Sequence, residues 1–149
     1  MAFHKLLCPV DFSGPSYEAL TVAARLAAEG AADLTLLYVW QSVIRVSADT
    51  FTQSDVLEPE RAQAHAALAA AKAQAESLGV KSVSTKLVTG LPWKVIVDEV
   101  ASDPSYDLLV MGTHGRTGIL RALLGSVAEH AARQADCPVL LVRSRTGHR

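Results

Sequence analysis

Hydrophobic positions in this chain gather into short blocks rather than spreading evenly. FHKLLCPV (3–10), LTLLYVW (34–40), DLLVMG (107–112) and PVLLVR (138–143) are continuous apolar runs of strand length. Runs of that kind, without polar alternation, predict strands buried on both faces. VSTKLV (83–88) instead alternates, with Val83, Thr85 and Leu87 on one side and Ser84, Lys86 and Val88 on the other. It reads as an edge strand.

The segments between these blocks carry helical patterns. Residues 15–29 are rich in Ala and Leu and open with Ser13 as a cap and Pro15 in the first turn. Residues 59–78 are dense in strong helix formers and close at Gly79, a suitable left-handed terminator. Residues 91–101 place Val95, Ile96, Glu99 and Val100 after Pro92, and in 126–135 the pair Ser126 and Glu129 has capping-box spacing. The order β-α-β-α-β-α-β-α-β predicts one doubly wound α/β domain, a parallel sheet with helices on both faces. The long irregular connection 41–57 is either a loop over a site or a surface excursion without a role. Residues 1–143 form the domain, and SRTGHR (144–149) reads as a disordered tail.

Composition narrows the function. A 149-residue chain that is 50% apolar and 19% charged, with net charge -1, buries a core without disulfides and has no general attraction for nucleic acid or anionic membrane. No apolar run reaches the ~18 residues of a membrane span, and the first residues lack the basic-then-apolar layout of a secretory signal, which predicts a cytoplasmic protein. Cys8 falls in a buried strand and Cys137 beside Pro138, without metal or redox spacing, so both read as reduced structural cysteines.

Glycine distribution points to chemistry. Of nine glycines, Gly112, Gly115, Gly118 and Gly125 fall within fourteen positions that begin at the carboxyl end of the fourth expected strand, DLLVMG (107–112). In an open parallel sheet, ligands bind beyond the carboxyl ends of the strands where the winding reverses, so this segment lies at the crevice. Without Cβ atoms, Gly112 and Gly115 can take positive φ and bring amides close to a bulky anion. Gly125 and Ser126 then open the last helix, whose free amides, including that of Val127, and partial positive charge suit phosphate. The spacing is G-x-x-G-x₉-G-S. It differs from the Walker pattern, because Leu124 precedes Gly125-Ser126 and the loop has no lysine, and from the G-x-G-x-x-G fingerprint, because Asp11-Phe12-Ser13-Gly14 follows the first strand.

Asp11 ends the first strand. Its carboxylate repels phosphate, so it either accepts hydrogen bonds from a ribose, holds Mg²⁺, or caps a helix. Val39, ending the second strand, offers backbone groups to an adenine edge or is simply core. His114 is either a loop histidine or a base, Thr113, Thr117 and Ser126 are hydroxyls within reach of self-phosphorylation, and Arg116 and Arg121 either add charge near phosphates or are solvated.

Together, KLLCPVDFSGPSYEAL, LTLLYVW, DLLVMGTHGRTG and LLGSVAEHAARQADCPVLLVR resemble the universal stress protein family over nearly the whole chain. The resemblance implies a five-stranded sheet of order 3-2-1-4-5 and a homodimer paired through residues 138–143. It also implies ATP binding, since the ATP-binding subclass carries G-x-x-G-x₉-G-[S/T]. By position, Asp11 would contact ribose, Pro9, Val10 and Val39 would flank adenine, and Met111, Gly112, Gly115, Gly125, Ser126 and Val127 would surround the phosphates. The implied role is a nucleotide-dependent stress-response or signalling module. Slow ATP hydrolysis or autophosphorylation, or a dimeric interaction protein whose crevice is empty or holds another nucleotide, are the alternatives. No residue is assigned a catalytic role.

Overall fold

The computed structural model describes residues 2–41, 53–114 and 124–144. Its elements run β1 (Lys5–Pro9), α1 (Gly14–Gly30), β2 (Asp33–Trp40), α2 (Gln53–Ser77), β3 (Ser82–Thr89), α3 (Pro92–Ser102), β4 (Leu108–Gly112), α4 (Ser126–Gln134) and β5 (Val139–Val142). The five strands form one sheet in the order β3-β2-β1-β4-β5, every neighbouring pair parallel. This is the expected single α/β domain.

Burial explains why the central strands are apolar without interruption. Leu6, Cys8 and Val10 of the β1 segment, Leu34 and Leu36 of β2, and Leu108 and Val110 of β4 pack on one face under α1 and α2. The alternate residues Leu7, Leu37, Leu109 and Met111 pack on the other face with Ile96 and Val100 of α3 and Ala128 and Ala131 of α4. Each strand residue is thus buried whichever way it points. At the edge, β3 lets Ser84, Thr85 and Lys86 reach solvent while Val83 stays buried.

Local signals place most boundaries. The Ser13 side chain accepts a hydrogen bond from the Ser16 amide at the start of α1, with Pro15 in the first turn. Gly79, at φ 104°, turns the chain out of α2 as expected, a conformation that suits a residue without Cβ. Two expectations need correction. The helix foreseen from residue 59 begins at Gln53 and contains Pro59, so residues 53–57 belong to α2 rather than to the irregular 41–57 connection. An interior proline costs about 3 kcal/mol, and that local penalty suggests a boundary; yet it removes only one backbone bond, and the chain upstream stays helical. The second correction concerns Ser126. Gly125 is the N-cap of α4, no side chain caps that end, and Glu129 pairs with Arg133 at 3.0 Å, so the capping box does not form.

Cys8 is fully buried in β1, and burial pushes its thiol up to about 12. In the unfolded chain it titrates near its ordinary value of roughly 8.5. The contribution of the folded thiol is therefore intact below pH ~8.5 and declines as pH rises from there towards 12. In native protein at pH 8, alkylation with iodoacetamide is expected at the part-exposed Cys137 and at Cys8 only after denaturant is added; peptide mapping reads the two sites separately. Equal labelling of both in the native state would contradict the burial argument.

Candidate functional site

The winding of the sheet creates the site. After β1 the chain passes to α1 on one face, and after β4 it proceeds to α4 on the other. The carboxyl ends of these neighbouring strands therefore diverge into a crevice, of about 510 Å³.

Pro9, Val10 and Asp11 lie at the end of β1 and form one wall. The Asp11 carboxylate accepts from the backbone amide of Ser13 at 3.0 Å and from the Ser13 hydroxyl, while the Asp11 amide donates to Ser16 Oγ at 3.0 Å. The cap of α1 is thus Ser13, and Asp11 braces it from the strand side. Ser16 is almost wholly buried and also lines the crevice. Val39 stands on the β2 side between Tyr38 and Trp40, and Pro92 and Ile96 of α3 approach from below.

The opposite wall comes from β4 and α4. Met111 is buried at the end of β4. Gly112 does not take the positive φ expected of it. Its lack of a side chain serves a close approach instead: a Cβ there would lie 3.3 Å from the carbonyl oxygen of Pro15, on the first turn of α1, and 3.3 Å from that of His114. Thr113 then ties the region together. Its amide donates to the Val142 carbonyl of β5 at 3.1 Å, and its carbonyl accepts from the Gly125 amide at 2.7 Å. The chain leaving β4 and the chain entering α4 are fastened side by side, with Gly125, Ser126 and Val127 facing the crevice.

The first amides of α4 have no acceptor within the helix, and its positive dipole end points the same way. With no capping bond, the Ser126 hydroxyl is not committed to Glu129. On the outer side of α4, the His130 ring stacks on Trp93 of α3 with centroids 4.6 Å apart, and its Nδ1 lies 2.7 Å from the Ser126 carbonyl, which fixes that nitrogen as the donor. The start of α4 is thereby held against α3.

Of the residues singled out from sequence, Pro9, Val10, Asp11, Val39, Met111, Gly112, Gly125, Ser126 and Val127 all line this one crevice. Gly115 lies outside the described residues, as do Arg116, Thr117, Gly118 and Arg121. His114 also lines the crevice, its Nδ1 3.1 Å from the Thr113 hydroxyl. Sequence reasoning passed over Ser16, Tyr38, Trp40, Pro92 and Ile96 as lining residues; each arrives through the packing of an element with no sequence neighbour in the glycine segment. Thr113 was legible as a hydroxyl near the site but not as the residue that joins β5, β4 and α4.

The chain matches the universal stress protein family model over residues 2–143. It belongs to the universal stress protein family. A universal stress protein of Methanocaldococcus jannaschii is 38% identical over 145 residues, covering 95% of this chain and 82% of the relative. Among solved structures, a universal stress protein of Lactobacillus plantarum superposes with a TM-score of 0.82 at 27% identity, covering 96% of this chain and 99% of that one. A universal stress protein solved in complex with cAMP superposes at 0.74 with 28% identity, covering 96% and 98%. The sheet order and the four helices are those of this fold.

The close approach at Gly112 yields a prediction for this universal stress protein. Gly112→Val places a branched side chain against backbone at the junction of β4 and α1, where neither neighbour is a flexible tip. Overpacking of this kind costs about 1–3 kcal/mol, measured as a lower midpoint in urea with unchanged slope. A variant as stable as the parent would show that α1 and β4 can separate freely.

Proposed function

We propose that this universal stress protein binds ATP in the crevice and acts as a nucleotide-dependent regulatory module of a stress response, not primarily as a catalyst. The observation that carries this reading is the convergence of two unlike walls. A carboxylate, Asp11, stands on the β1 side, and the uncapped amino end of α4, at Gly125, Ser126 and Val127, stands on the β4 side. A ligand that suits both carries hydroxyls at one end and negative charge at the other, as a ribose joined to a phosphate chain does. Pro9, Val10 and Val39 supply the apolar flank for a base, and Met111, Gly112 and Gly115 complete the phosphate side. The relative solved with cAMP supports an adenine nucleotide as the ligand class, and the spacing G-x-x-G-x₉-G-S supports a triphosphate.

Mg²⁺ enters this reading with the nucleotide. Among the described residues no group of three or more His, Cys, Asp and Glu is placed to hold a metal ion. Magnesium is commonly held by one or two carboxylates together with substrate phosphates, and among the described residues lining the crevice Asp11 is the one carboxylate. The same scarcity favours binding over turnover, because phosphoryl transfer needs a clamped metal, an oriented nucleophile and neutralising charge together. The Thr113–His114 contact is the one feature that speaks for self-phosphorylation. The module acts in the cytoplasm as a homodimer; among the described residues no helix is long and apolar enough to cross a membrane, and β5 ends the sheet with Leu140 exposed. An unpaired strand edge bearing apolar groups suits pairing with a second copy.

Titration calorimetry with ATP, with and without magnesium, tests the reading. Asp11→Asn and Gly115→Val are each expected to weaken binding roughly ten- to a hundredfold, the worth of one or two hydrogen bonds to a charged group, with melting temperatures near that of the parent. Absence of heat with ATP under both conditions would refute nucleotide binding. Release of phosphate or labelling of Thr113 well above background, abolished by His114→Ala, would replace the regulatory reading with an enzymatic one.

A further inference from the structure

A second recess, of about 410 Å³, lies beside the crevice between the end of β2 and the amino-terminal half of α2. Phe12, Tyr38 and Trp40 line it from the sheet, and Glu60, Gln63, Ala64 and Ala67 line it from the helix.

Its chemistry follows from how each side is built. Tyr38 and Trp40 are two apart on β2 and so fall on the same side of the strand. Phe12 adopts the left-handed backbone region at φ 64°, rare for a bulky residue, and its ring meets that of Tyr38 with centroids 4.8 Å apart and planes tilted by 37°. From α2, residues 60, 63, 64 and 67 have the i, i+3, i+4, i+7 spacing of one helix face. Towards the carboxyl end of that helix the inward residues Leu68, Ala71 and Ala75 pack into the core. Here the helix offers Ala64 and Ala67, too small to fill the space before three aromatic rings, and puts a carboxylate and an amide at the rim. Among the described residues lining the recess there is no Lys or Arg.

Aromatic faces carry negative potential, and a carboxylate beside them adds a full charge, so the combination favours a cation that also has apolar surface. We propose that this recess binds a small organic ammonium ion, with Phe12, Tyr38 and Trp40 contacting its alkyl groups and Glu60 balancing its charge. The recess adjoins the crevice and shares Tyr38 and Trp40 with it, but Phe12, Glu60, Gln63, Ala64 and Ala67 are not among the residues lining the crevice; the rings of Phe12 and Tyr38 pack against the α1 and α2 side of the sheet, whereas Val39 packs on the other.

Choline and its neutral isostere 3,3-dimethylbutan-1-ol serve as probes on the intact protein. Choline is expected to bind saturably, with its methyl proton resonance moving upfield as the methyl groups sit over ring faces. The neutral isostere is expected to bind at least about tenfold more weakly, and Glu60→Gln to weaken choline by about tenfold. Trp40→Leu, with a melting temperature close to the parent's, is expected to abolish the upfield shift, and saturating ATP to leave choline binding in place. Equal affinity for choline and the isostere would mean an apolar hole without cation preference and would overturn the proposal. So would the absence of saturable choline binding, or an unchanged affinity in Glu60→Gln. Displacement of choline by ATP together with an unchanged affinity in Glu60→Gln would assign the binding to the crevice instead.

Discussion

Strands β1 and β4 pair in parallel through Leu6 with Leu108 and Leu7 with Leu109, and the functional end of the molecule depends on that pairing. The helices that follow the two strands must cover opposite faces of the sheet, because each face presents its own row of Leu, Val and Met side chains. Two chains leaving neighbouring strands in opposite directions cannot cover the edge between them. The result is an opening walled by the turns that follow the two strands and by core side chains such as Val10, Ile96 and Met111.

Those turns are fixed by a small number of main-chain contacts. The Gly125 amide on the Thr113 carbonyl, and the Thr113 amide on the Val142 carbonyl, bind the exit of β4, the entry of α4 and the last strand into one unit. Across the opening, Ser13 serves two partners at once, accepting from the Ser16 amide and donating to Asp11. The carboxylate is thereby oriented by the same residue that caps α1. Gly112 lets the two walls approach, since any side chain there would press on the Pro15 carbonyl. A site assembled in this way presents preset amides and a preset carboxylate, which suits recognition of a ligand with two chemically different ends.

Beside it lies the interface of α2 with the sheet. In the lower part of that interface Leu68, Ala71 and Ala75 close on the sheet, and in the upper part Ala64 and Ala67 line a recess with Phe12, Tyr38 and Trp40. The same helix therefore contributes core at one end and a lined recess at the other, and the change follows from side-chain size along a single helical stripe.

The sequence alone determined the class of the fold: strand-length apolar runs alternating with helical segments leave a parallel α/β sheet as the arrangement that buries them, and the alternating pattern of residues 83–88 marks β3 as the edge. It also marked the glycine segment, Asp11 and Val39, because strand ends and amide-rich turns are local features. Tertiary structure decided the rest. Whether Ser126 caps α4 or faces the crevice depends on Gly125 being held by Thr113, a contact between chain segments. The start of α2 at Gln53 overrides the local meaning of Pro59, and Gly112 proves to need space rather than an unusual φ. Tyr38, Trp40, Pro92 and Ile96 reach the crevice only because β2 and α3 are packed beside it. Local pattern encodes what each segment becomes; which residues share a cavity is set by the packing of segments far apart in the chain.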